Sequence, residues 1–181
     1  VGGYKSSWQL LGFSKTRQAM ATLNGLIVEA LIAKGIKAVA LQPSACILTE
    51  NGRITRFEIT PLKKMLRLGF TPVLYGDAVA DTKLGFTILS GDQIVSKLAV
   101  DLKAARILIG LDVDGLYTAD PKACLEAKLI ESITLKDLKN LLDVLGGSRV
   151  VDVTGGMFGK ISEVIPALEE GIPVEMVNAK V

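Results

Sequence analysis

The 181-residue sequence contains no histidine. Within these residues, that excludes a Ser-His-Asp triad, a papain-like Cys-His pair, a His-ligated zinc site and a histidine pH switch. Cysteine is scarce. Cys46 and Cys124 lie far apart and form no Cys-x-x-Cys pair, so both are expected as reduced thiols of a cytoplasmic protein. Excess charge is lacking: 21 Lys plus Arg against 19 Asp plus Glu leaves +2. That balance points to neither nucleic acid nor an anionic membrane as partner. Long apolar runs are missing. The longest, around residues 104–111, contains Arg106 and falls far short of the roughly 18 residues that a membrane span needs. The chain opens on Val1 without a charged-then-apolar leader pattern.

What is present suits a folded core. Hydrophobic residues make up 49% and charged residues 22%, and a prior of roughly 150 residues per domain gives one domain or a large part of one. Helical and strand patterns alternate, so the expected class is α/β, a three-layer αβα sandwich with a mostly parallel central sheet. Residues 14–33 read as a helix ended by Gly35, and 36–41 as a short strand. Residues 46–58 read as a hairpin turning at Asn51-Gly52. Thr60-Pro61 opens a helix with Thr60 as N-cap, closed by Gly69. Residues 71–75 form the next strand. Ser90 and Gln93 have capping-box spacing at the start of a helix running to about Lys103. Residues 105–111 read as a strand buried on both faces. Thr134 with Asp137 caps a further helix, ending at Gly146-Gly147. A last helix follows Thr154 and ends near Gly171, and residues 172–177 form a final strand.

Ligands of open α/β sheets bind beyond the carboxyl ends of the strands. Three such ends carry Gly with Asp, Thr or Lys. They are Gly76-Asp77, Asp112-Val113-Asp114-Gly115, and the Thr154-Gly155-Gly156-Met157-Phe158-Gly159-Lys160 run. Glycines let backbone amides approach a ligand, a helix start carries partial positive charge, and Lys160 adds a full one. That describes a phosphate cradle; a glycine-rich cap with a solvated lysine has the same composition. The spacing is not that of a Walker A loop, because one residue is missing and Ile161 replaces the magnesium-holding hydroxyl. Asp92, in the first turn of its helix, either stabilises the positive helix end or orients lysines around a transferring phosphoryl group. The Asp112 loop lacks the Gly and Glu positions of a calcium site, and a carboxylate-lined turn beside a nucleotide fits it better. Asp77 reads as a turn aspartate and Ser44 as a turn hydroxyl.

Taken together, LYGDAVAD (74–81), ILSGDQI (88–94), LDVDGLYTADP (111–121) and VDVTGGMFGKI (151–161) resemble the amino acid kinase superfamily in order and spacing. With GFSKTRQAMATLN (12–24), QPSACI (42–47) and NGRI (51–54), the chain most resembles the archaeal-type isopentenyl phosphate kinase branch. The resemblance implies ATP-dependent phosphoryl transfer to isopentenyl phosphate, with magnesium on the nucleotide, in a cytoplasmic homodimer. By the same resemblance, Asp92 organises the active-site lysines and Lys160 holds the nucleotide phosphates. Asp112, Asp114, Gly115 and Tyr117 meet the nucleotide, while Thr154, Gly155 and Gly156 line its phosphates. Gly76, Asp77 and Gly91 lie on the acceptor side. Residues 1–103 would mainly form that side and 104–181 the nucleotide side of a single, partial domain. No metal-ligating residue is expected.

The branch also carries a Lys-Gly-Gly-Ser-type first strand, a His-bearing glycine loop and a closing helix and strand, none of which stands in these 181 residues. The expectation is therefore a portion of a longer kinase with little or no turnover of its own. The competing enzyme readings are a fosfomycin kinase-like or an acylphosphate-forming member of the superfamily. The competing non-enzyme reading is a nucleotide-binding module. An apolar wall for a five-carbon acceptor is expected from Met20, Leu23 or Ile27, unless these are ordinary core residues.

Overall fold

The computed structural model describes residues 3–119, 121–122, 124–147 and 157–180. They form two compact units, Val1–Ile94 and Val95–Val181.

In the first unit, α1 (Trp8–Ala33) is followed by β1 (Ala38–Ala40), a single 3₁₀ turn (Pro43–Ala45), β2 (Ile47–Glu50) and β3 (Arg53–Phe57). Then come α2 (Thr60–Arg67), β4 (Thr71–Val73), β5 (Asp77–Asp81) and β6 (Gly85–Leu89). The helix α3 (Gly91–Leu102) begins here and contains the boundary between the units. β1 and β4 pair in parallel, and a four-stranded sheet runs β3-β2-β5-β6. Asn51 and Gly52 turn the β2–β3 hairpin at φ +50° and +78°, the paired left-handed values of a type I′ turn. A bulge between Leu48 and Thr49 shifts its register.

The first unit departs from the expected elements at several points. The first helix starts at Trp8, six residues early. Thr60 is the first helical residue of α2 and its hydroxyl caps nothing; its amide instead donates to Glu58 Oε1 at 2.9 Å. The strand expected over 71–75 stops at Val73. Asp77 opens a strand of an unforeseen hairpin, β5–β6. The capping box is half right. Ser90 Oγ accepts from the Asp92 amide at 3.1 Å. Gln93 turns away, accepting from the Ile54 amide at 2.8 Å and donating to the Gly52 carbonyl at 3.3 Å.

In the second unit, β7 (Ile107–Leu111) and β8 (Val174–Asn178) pair in parallel over five residues. The helices are α4 (Leu135–Gly147) and α5 (Met157–Glu169). Thr134 caps α4 as expected. Its Oγ1 accepts from the Asp137 amide at 3.2 Å and donates to Asp137 Oδ2 at 2.7 Å. On α5, Ile161, Val164 and Ala167 are buried. Val164 and Ala167 pack on Ile107, Ile109 and Leu111 of β7. This strand is covered on one face: Leu108 and Gly110 are exposed, which corrects the reading of burial on both faces. The overall class is α/β as expected. Among the described residues, however, the strands form two parallel pairs and one mixed sheet, not one continuous parallel sheet.

Candidate active site

The first unit brings together Gly76, Asp77 and Gly91, the residues expected on the acceptor side. A Cβ on Gly76 would stand 3.1 Å from the Leu89 carbonyl oxygen and 3.3 Å from the Gly91 nitrogen. A side chain at Gly76 would crowd this approach and force the facing backbone to give by a few tenths of an ångström. Asp77 is fully buried. Its Oδ2 accepts from the Ser44 amide at 3.2 Å and its Oδ1 from the Ala78 amide at 2.9 Å. Arg17 Nε of α1 lies 3.6 Å from Oδ1. Ser44 thus contributes its amide, while its hydroxyl accepts from Gln42 Nε2 at 3.1 Å. Burial, then the Asp77 charge, pushes the neighbouring Tyr75 phenol up. Asp92 is half-buried in the first turn of α3, with Ser90 Oγ 3.4 Å from its Oδ2.

The second unit, expected to take the nucleotide, places Asp112 directly after β7. Asp112 pairs with Lys122, and Lys180 Nζ stands 3.8 Å from the same oxygen. The hydrogen bond and charge of Lys122 hold the Asp112 carboxyl below its ordinary value. The parallel register sets Leu111 beside Asn178. Asn178 Nδ2 donates to Asp114 Oδ1 at 2.8 Å, and the Tyr117 hydroxyl donates to Asp114 Oδ2 at 3.3 Å. Asp114 is thereby fixed from two directions. Gly115, at φ +155°, has the Leu129 side chain 3.2 Å from where a Cβ would stand. Asp114 and Gly115 line a cavity of about 460 Å³, walled by Leu129, Leu138, Ile161 and Met176. Lys160 is half-buried in the first turn of α5. That turn carries amides with no acceptor inside the helix. Thr154, Gly155 and Gly156 lie outside the described residues.

The sequence pattern of the Amino acid kinase family matches residues 6–178. The chain belongs to the amino acid kinase family. Among curated members, it is 41% identical to an isopentenyl phosphate kinase of Methanothermobacter thermautotrophicus, over 94% of this chain and 64% of that one. It is 35% identical to an isopentenyl phosphate kinase of Arabidopsis thaliana, over 98% of this chain and 58% of that one. Thus the chain spans less than two thirds of the length of these relatives. A crystal structure of isopentenyl phosphate kinase superposes with a TM-score of 0.83 at 34% identity, covering 100% of this chain and 68% of that one. The structure of Escherichia coli aspartokinase III with aspartate and ADP shares the amino acid kinase fold, with a TM-score of 0.63 at 24% identity.

Sequence reasoning missed four participants. Arg17, Lys122, Asn178 and Lys180 each meet a foreseen carboxylate. The motif stretches quoted for the family contain only Arg17, and it sits there without a distinguishing neighbour. For two of the expected wall residues, the core alternative fails. Leu23 and Ile27 are 49% and 44% exposed, so neither is a core residue of the described chain.

Proposed function

We propose that the protein containing this chain transfers a phosphoryl group from ATP to isopentenyl phosphate, giving isopentenyl diphosphate. The observation that carries this reading is the 41% identity to an isopentenyl phosphate kinase across 94% of the chain. The site geometry agrees with it. Phosphoryl transfer needs alignment and charge neutralisation more than a covalent nucleophile. The acceptor phosphate brings the attacking oxygen, so no strong protein base is required. Gly76 and Gly91 form the acceptor side with Asp77 locked beneath them, and Asp92 orients the active-site lysines. Lys160, at the positive end of α5, meets charge developing on the leaving phosphates.

The nucleotide fits the second unit. An apolar cavity rimmed by the fixed Asp114 carboxylate suits a base and ribose, and Asp112 with Tyr117 shapes its approach. Thr154, Gly155 and Gly156 line the phosphates in this reading. Magnesium supplies charge neutralisation when bound with the nucleotide. Among the described residues no three His, Cys, Asp or Glu side chains gather to hold a metal, so no residue of this chain is assigned to it.

A cytoplasmic homodimer completes the reading. Among the described residues no helix is long and apolar enough to cross a membrane. Leu23, Leu26 and Ile27, which share one face of α1, are nonetheless exposed, and an exposed apolar helix face suits a second copy of the chain. The test of function is turnover of isopentenyl phosphate by the complete natural protein, compared with fosfomycin and amino-acid acceptors.

A further inference from the structure

The Asn51-Gly52-Arg53-Ile54 stretch carries part of the branch resemblance, yet no role proposed above uses it. It turns the β2–β3 hairpin and opens β3, which is an edge strand because the sheet runs β3-β2-β5-β6. Gln93 of α3 covers part of that edge. Its Oε1 accepts from the Ile54 amide at 2.8 Å and its Nε2 donates to the Gly52 carbonyl at 3.3 Å. These two backbone groups flank Arg53, so the side-chain amide stands where the peptide group of a further strand would pair. Gln93 is 7% exposed. Both bonds are partly buried, where a backbone group left without a partner costs more than it does in water. The far end of the link is itself held, because the Gly52 amide donates to Asp81 Oδ2 at 2.8 Å.

The residue beside Gln93 is Asp92. Two further contacts fix the backbone of the same turn. The Asp92 amide donates to Ser90 Oγ at 3.1 Å, and the Gly76 backbone closes on the Gly91 nitrogen. Gln93 holds the turn from the hairpin. Successive helical residues point about 100° apart, so Gln93 serves the Asp92 carboxylate through the backbone they share. A group that organises charge around a transferring phosphoryl must be in place before the reaction begins. A misplacement of about 1 Å can cost on the order of 100-fold in rate.

We infer that Gln93 is a positioning residue for Asp92, and that the Gly52–Ile54 segment serves the reaction as its anchor. This rests on the reading of Asp92 as organiser of the active-site lysines. The test is a double-mutant cycle of Gln93→Met and Asp92→Asn in the complete natural protein, with ATP and isopentenyl phosphate. Rates are taken at enzyme concentrations high enough to measure the weakest variant. Gln93→Met nearly keeps the side chain's length and volume and removes both hydrogen bonds. It is expected to lower kcat at least about tenfold and to leave both KM values within about twofold. In the Asp92→Asn background it should change kcat by less than about twofold, because residues that act as a unit are not additive. If Gln93→Met does not fold, Gln93→Glu, which keeps the acceptor and loses the donor, carries the same cycle with the same expectations. An equal fold-loss in both backgrounds is the mark of a merely structural Gln93 and overturns the inference, as does an unchanged kcat in the single variant. A parent that does not turn over isopentenyl phosphate removes the proposed function, and an Asp92→Asn variant as active as the parent removes the Asp92 reading. Either takes the inference with it, and each is distinct from additive losses in a working enzyme.

Discussion

Asp81 shows how much one carboxylate can organise. It accepts hydrogen bonds from the amides of Asn51, Gly52, Lys83 and Leu84 and from the Thr49 hydroxyl. It thereby ties the β2–β3 turn to the β5–β6 turn. Burial alone would raise its pKa, but the amides of Gly52, Leu84 and Lys83 and the Thr49 hydroxyl outweigh it. The carboxyl is held well below the usual carboxylate range. A depressed folded-state pKa contributes stability above the unfolded value of about 4, and that contribution is lost as pH falls toward the folded value. Asp81→Asn turns an amide donor toward backbone donors, and is expected to cost about 2–3 kcal/mol at pH 7. Denaturant titrations at pH 7 and pH 3 check this: the gap to the parent should narrow at pH 3. An equal gap at both would show that the charge is not what stabilises. Asp81 lies inside a stretch that carried the family resemblance, yet its role was not legible there. Three of its partners stand 29–32 positions earlier in the chain. Asp92 and Lys160 were easier to single out, because each sits in the first turn of a helix that the local sequence announces.

Elements were legible where local chemistry decides them. Asn51-Gly52 dictates a tight hairpin by its φ values, and Thr134 with Asp137 caps α4 within four residues. The β5–β6 hairpin was missed because residues 82–85 carry no Asn-Gly or Asp-Gly pair. Tertiary contact finishes that turn: Gly85 sits at φ +78°, and the Tyr4 amide donates to the Leu84 carbonyl at 2.6 Å. A Cβ on Gly85 would stand 2.9 Å from Tyr4 Cβ. Phe86 completes the contact with Tyr4 and Phe13, at ring centroid distances of 6.1 and 5.2 Å. Gly85→Ala is therefore expected to cost about 1–2 kcal/mol, through the left-handed backbone and displacement of Tyr4. Equilibrium unfolding measures it, and a variant as stable as the parent would show that this docking is slack. Gln93 was misread for the same reason. Its spacing from Ser90 is that of a capping box, but the Ile54 amide competes for its side chain and wins.

For the molecule as a whole, the motif order pointed to the family and the α/β class, while the packing of α1 stayed hidden. Its apolar residues suggested a pocket wall or else a core; the buried residue of this helix is Asn24, which removes the core reading. Leu26 is 60% exposed. If α1 meets a second copy, Leu26→Glu is expected to convert a dimer of the complete protein to a monomer in light scattering after size exclusion. An unchanged mass would place the dimer contact elsewhere.

Phosphoryl transfer to isopentenyl phosphate is the activity on which every residue role proposed above depends. Its most direct test is steady-state ADP release by the complete natural protein with isopentenyl phosphate, fosfomycin, aspartate and glutamate, each with and without Lys160→Ala. The expected result is preference for isopentenyl phosphate by kcat/KM and a roughly 100- to 1,000-fold lower kcat in the variant. Preference for any other acceptor, or full turnover without Lys160, would contradict it.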